Sequence, residues 1–200
     1  ENLDKFEMGI AAQKIYDFIW EEFCDWYIEM VKPRLYGNDE KSKAAAIWTL
    51  RHVLTDALKL LHPYMPFVTE EIFCTLKEME ENTADESIMI SAWPEYSDAF
   101  AFGAEEEAVE LIKEAVKGIR NLRSEMNVPP SRKAMVFVVS EQESVRTIFE
   151  NSKVFFASLG VASEVKIQAD KDGIDADAVS AVIPNATIYI PFADLVDIEK

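Results

Sequence analysis

GIRNLRSEMNVPPSRKA, residues 118–134, is where the reading of this chain turns. Before it, apolar residues recur at helical spacing; after it, they alternate or run together. Pro129-Pro130 separates the two patterns, because the residue ahead of a proline is driven out of the helical region. Arg120, Arg123, Arg132 and Lys133 place four of the chain's twenty cationic residues in this one stretch. The whole chain carries a formal charge of -17.

Upstream, Phe6, Ile10, Ile15, Phe18, Ile19, Phe23, Trp26, Tyr27 and Met30 mark a helix from about Leu3 to Val31. At roughly 1.5 Å per residue it would be about 40 Å long, and Lys32-Pro33 is expected to end it. A turn, RLYGND, leads to a second helix over about 41–62, with Ala44, Ile47, Trp48, Leu50, Val53, Leu54, Leu58 and Leu61 on its pattern. A third covers about 66–81. Residues 82–103 have no helical period and form a long connection. A fourth helix, 104–126, repeats at Val109, Ile112, Val116, Ile119 and Met126, with Glu105–Glu107 in the first turn, where the helix dipole favours acids. Long helices joined by short turns predict an antiparallel helical bundle over 1–127.

Downstream, AMVFVV (134–139) is a strand, 142–159 a pair of helical segments, EVKIQ (164–168) a half-buried strand, and SAVIPNATIYIPF (180–192) two strands around Pro184-Asn185. The fold class is therefore mainly α, a helical bundle followed by a small α+β subdomain at 128–194. The role expected for that subdomain is a structural spacer.

Charge is unevenly divided. Residues 1–83 sum to -7, 84–116 to -8, 117–133 to +4 and 134–200 to -6. An acidic chain is ordinarily one that avoids nucleic acid, so the positive stretch is the informative feature. With 49% apolar residues the chain has material for a core. No run of eighteen apolar residues and no basic-then-apolar start occur, so neither a membrane span nor a leader is expected. Cys24 and Cys74 lie in apolar helical stretches and read as reduced core cysteines, with a disulfide as the alternative.

Several chemistries find no support. The six glycines are scattered, so no phosphate loop is formed. Two cysteines and two histidines lie far apart, without zinc-ligand spacing. His52 and His62 lack the glutamate three residues earlier that a di-iron bundle requires, and both read as structural. The carboxylates read as solvated helix faces. No catalytic residue and no metal ligand is assigned.

Four stretches, IYDFIWEEFCDWYIEMVKPRLYG (15–37), LLHPYMPFVTEEIF (60–73), the opening stretch, and AVIPNATIYIPFADLVDIEK (181–200), resemble the C-terminal part of bacterial valine–tRNA ligases, in that family's order and spacing. The resemblance covers essentially the whole chain. It implies an anticodon-binding region of a class I aminoacyl-tRNA synthetase, with tRNA(Val) as partner, cytoplasmic location, and residues 195–200 opening a coiled-coil arm. It also implies what lies elsewhere. The HIGH-type and KMSKS-type motifs are not in these residues, so ATP and Mg would belong to a catalytic domain of the full-length polypeptide, as would editing. In that family the bundle begins one helix earlier, with an Asn/Arg-bearing helix that helps to read the anticodon. The apolar stripe left by that helix is expected to support self-association.

An anticodon is an unpaired loop whose bases stack on aromatic or guanidinium planes, while the stem is held through its phosphates. The resemblance places the turn after the long helix near that loop. Lys32 and Arg34 then serve phosphates or base edges, Leu35 and Tyr36 contact or stacking, and Asn38 hydrogen bonding. The other reading is an ordinary helix–helix turn with Tyr36 packed back. Arg120 and Arg123 share a helix face, and with Arg132 and Lys133 they form either a phosphate strip or internal ties. Two further readings of the whole chain stay open: an acidic protein–protein docking module without RNA binding, and the same segment of an isoleucine- or leucine-type ligase.

Overall fold

The computed structural model describes residues 2–78 and 87–195. The chain divides into two compact units, 1–99 and 100–200.

The first unit is helical. Its first long helix has three parts: α1 (Met8–Asp17), a π-helical stretch (Phe18–Ile28) and α2 (Glu29–Leu35). π-Helix is rare and is usually confined to one turn; here it spans eleven residues. The helix also passes through Pro33 and does not stop before it. A proline removes one amide donor, and the ladder resumes just beyond it with the Tyr36 amide donating to the Lys32 carbonyl at 3.0 Å. α3 (Glu40–Leu61) follows, and Asp39 caps it by accepting from the Lys41 and Ser42 amides. α4 (Pro66–Glu78) completes the set; the rest of the expected third helix, 79–81, lies outside the described residues.

α3 is the hub of this unit, packing on α1, α2 and α4. One buried cluster is Leu58, Phe73 and Ile88, with Leu54 and Leu76 against it, and Phe23, Met30, Val31 and Ala46 are buried elsewhere in the unit. Ile88 belongs to a 3-10 turn (Ile88–Ile90) that Glu70 pins to α4, accepting from the Ser87 hydroxyl at 3.1 Å and the Ile88 amide at 3.2 Å. Many large apolar side chains stay exposed, among them Phe6, Trp20, Trp48 and Phe67. Cys24 and Cys74 are both free and half-buried.

The second unit opens with α5 (Gly103–Glu125) and carries β1 (Ala134–Val139), α6 (Glu143–Asn151), α7 (Lys153–Leu159), β2 (Ala162–Gln168), β3 (Val179–Ile183), β4 (Ala186–Ile190) and α8 (Phe192–Leu195). The sheet order is β2-β1-β4-β3. β1 and β2 are parallel, joined through α6 and α7; β4 runs antiparallel to both of its neighbours. The β3–β4 hairpin turns on Pro184-Asn185, whose asparagine takes a φ of 61°. Proline followed by a residue at positive φ is the chemistry of a type II turn.

The fourth helix packs within the second unit. α5 contacts β3, β4 and α7, and so belongs to the second unit. Its buried side chains include Ile112, Ala115, Val116, Ile119 and Leu122. Gly118 faces the sheet, where a β-carbon would make ordinary contact, 3.4 Å from Ile188 Cδ1. Phe149 and Phe156 are fully buried, their rings tilted by 59° with centroids 5.7 Å apart. Burying such a side chain contributes about 2 kcal/mol. Residues 196–200, where the arm was expected to continue, lie outside the described residues.

Candidate nucleic-acid interface

The turn between α2 and α3 is held at both ends and open in the middle. Arg34 donates from Nε to Ser42 Oγ at 2.9 Å and from a terminal nitrogen to the Ser42 carbonyl at 3.1 Å, tying the turn to the start of α3. Lys32 pairs with Glu29 one turn back. Gly37 is required by space, because a β-carbon there would sit 2.9 Å from the Pro33 carbonyl oxygen. Leu35 is half-buried, whereas Asn38 is exposed and Tyr36 is 83% exposed. Tyr36 therefore does not pack back on the helices. This turn offers a phenol ring, a carboxamide and two cationic groups to solvent.

The junction after α5 is built differently. Asn127 takes a φ of 52° and the Val128 amide donates to the Arg123 carbonyl at 2.9 Å, closing the helix ahead of the prolines. Arg123 is 7% exposed. One of its terminal nitrogens donates to the Pro129 carbonyl at 3.1 Å and the Arg132 carbonyl at 2.7 Å. Burial lowers the pKa of its guanidinium, and its other terminal nitrogen has no partner among the described residues. Arg120 donates to the Leu159 carbonyl at the end of α7, at 3.0 Å, and Arg132 to the Ala193 carbonyl in α8, at 3.1 Å. A cation at the end of a helix meets carbonyls left without intrahelical donors.

Arg123 is thus a buried tie of the second unit, while Arg120, exposed, and Arg132, half-buried, also tie to its carbonyls. Of the four cations in the opening stretch, Lys133 alone is exposed with no partner among the described residues.

A third feature was missed in the sequence. α3 carries Lys41, Lys43, Arg51 and Lys59 against Glu40 and Asp56, a cationic helix in an acidic chain. Trp48, placed above with the apolar pattern, is 56% exposed. Its indole stacks on the His52 imidazole, 4.8 Å between centroids and 13° from parallel. A shallow groove of about 580 Å³ runs past Trp48, Arg51, His52 and Lys59. The signal was available: counting charge helix by helix, and not over four longer blocks, isolates α3.

The other histidine is a packing element. His62 Nδ1 lies 2.7 Å from the hydroxyl of buried Thr69. Among the described residues no three His, Cys, Asp or Glu side chains gather in a way that could hold a metal, and no helix is long and apolar enough to cross a membrane.

The family model for the anticodon-binding domain of tRNA ligases matches residues 1–138. The chain belongs to that family. This anticodon-binding domain is also similar along its length to named relatives. It is 48% identical over 200 residues to the valine–tRNA ligases of Clostridium tetani and Clostridium acetobutylicum. It is 34% identical over 197 residues to that of Staphylococcus carnosus. In each case 98–100% of this chain aligns with 22% of the relative. The chain thus spans about a fifth of the length of the curated relatives it matches. Neither the docking-module reading nor the isoleucine- or leucine-type reading is favoured by these matches.

Proposed function

We propose that this chain is the tRNA-binding segment of a bacterial valine–tRNA ligase, a cytoplasmic enzyme, and that it holds the anticodon stem-loop of tRNA(Val). The single observation that carries the reading is whole-length similarity to valine–tRNA ligases together with the anticodon-binding family match. The contact surface is the turn: Tyr36 stacks on an unpaired base, Asn38 bonds an edge, and Lys32 and Arg34 face phosphates. Leu35 supports the tyrosine, and Lys133 adds one phosphate contact. The helical unit is then part of the antiparallel bundle of such a domain.

The catalytic step belongs to other domains of the full-length polypeptide, where ATP and Mg would bind. Holding tRNA in a fixed orientation is how a domain without catalytic groups contributes to that rate. The net charge of -17 makes binding by this chain alone weak and strongly salt-dependent.

Fluorescence anisotropy with a labelled valine anticodon stem-loop tests this, beside a stem-loop of unrelated anticodon. Tighter binding to the valine sequence at low salt, lost in Tyr36→Ala, supports the reading. Equal affinity for both loops, unchanged by Tyr36→Ala, contradicts it. Phe6 and Phe67, exposed by 84% and 89%, motivate a second reading in which the same chain self-associates at high concentration. A strictly monomeric mass by light scattering would contradict that one.

A further inference from the structure

α3 begins where the Tyr36 turn ends, tied to it by Arg34 and Ser42. Lys41, Trp48, His52, Thr55 and Lys59 recur along α3 at helical spacing and so share one face. An exposed tryptophan is commonly part of an apolar docking patch, but this one is flanked by Arg51, His52 and Lys59, with one acid, Asp56, 3.7 Å from His52 Nε2 and 3.9 Å from Lys59 Nζ. The imidazole already covers one indole face, and the tryptophan is still 56% exposed. Cations along a groove with an aromatic platform between them is the arrangement that binds single-stranded nucleic acid.

We propose that the Trp48 face of α3 is a second RNA contact, where the indole stacks on an unpaired base of the bound tRNA and Lys41, Arg51 and Lys59 face its backbone. The inference rests on the tRNA-binding reading above, and adds a contact that the turn does not contain. Charge complementarity selects the occupant. α3 has more cations than acids, while the chain around it is strongly acidic. A polyanion gains from this face, whereas a second copy of the same acidic chain is repelled by the rest of the surface.

The experiment is anisotropy titration of the 200-residue chain with the labelled anticodon stem-loop, and with a fully paired RNA hairpin of equal charge closed by a short stable loop. Wild type, Trp48→Ala, Trp48→Phe and Tyr36→Ala are compared, with circular dichroism confirming their helix content. Base stacking on one aromatic ring corresponds to about five- to a hundred-fold in affinity. Trp48→Ala is expected to weaken the stem-loop by that factor, Trp48→Phe to restore most of it, and the paired hairpin to be indifferent to both. Wild-type binding that falls in Tyr36→Ala but is unchanged in Trp48→Ala overturns this inference and leaves the tRNA-binding reading standing. No wild-type binding at low salt overturns both. A doubling of mass by light scattering that Trp48→Ala abolishes, with RNA affinity unchanged, overturns it in favour of a self-contact.

Discussion

The two units treat the same residue types in opposite ways. In the second unit Arg120, Arg123 and Arg132 donate to carbonyls of their own unit, and Phe149, Phe156, Ile188 and Ile190 are almost wholly buried. In the first, Tyr36, Trp48 and Phe67 are largely exposed, and Lys32 pairs with Glu29 on its own helix, while burial falls on scattered residues such as Phe23, Val31, Leu58 and Phe73. A cation next to a helix end or a proline turn finds carbonyls that lack donors and is drawn inward. Local backbone chemistry, more than the density of charge along the chain, decides which arginines face outward.

The sharpest way to break this comparison is to truncate one aromatic ring in each unit. Phe149→Ala removes a fully buried ring and is expected to destabilise the second unit by about 3–5 kcal/mol. Phe67→Ala removes an exposed one and is expected to change stability by no more than about 0.5 kcal/mol. Urea unfolding of both variants checks the pair; equal losses would contradict the difference in packing. Next in size is Arg123→Met, which removes a charged donor from two carbonyls and is expected to lower stability by about 2–3 kcal/mol. The same variant should leave RNA affinity nearly unchanged once its folded fraction is accounted for. A large loss of affinity from the fully folded variant would return Arg123 to the interface.

The smallest effect concerns Cys74. Desolvation first, and then its contact with the Glu70 carboxylate at 3.6 Å, raise the thiol's pKa above the ordinary value. The thiolate is the reactive form, so at pH 8 Cys74 should alkylate more slowly than a free cysteine. Its rate should rise as pH is taken upward, and Glu70→Gln should bring part of that rise to lower pH. A rate equal to that of free cysteine would show that the site does not hold the thiol protonated.

How much was legible follows the same physics. β1 was placed at 134–139 and the Pro184-Asn185 hairpin at its turn, because alternation and turn chemistry are local signals. The ends of α3 and α5 fell within a residue or two, since Asp39 and the Pro129-Pro130 pair mark them. The partner of α5 was not legible. An amphipathic stripe says that a face is buried but not against what, and Ile112, Val116 and Ile119 would serve a bundle or a sheet equally well. Pro33 misled for a related reason, since one missing donor near a helix end is tolerated when the next amide resumes the ladder. At the candidate site, the exposed turn was readable from RLYGND. The stacked Trp48–His52 pair was not, because tryptophan at helical spacing carries no mark of exposure.

In the proposed interface RNA-facing charge lies on the turn, on α3 and on Lys133, and not on Arg120, Arg123 and Arg132. The salt dependence of anticodon stem-loop binding tests it most directly, because each phosphate contact removed lowers the slope of log affinity against log salt by about 0.7 on single-stranded RNA. The double variant Lys32→Gln/Lys41→Gln should lower the slope by roughly one to one and a half, while Arg120→Gln/Arg132→Gln leaves it at the wild-type value. A slope that falls with the second pair and holds with the first would contradict the account.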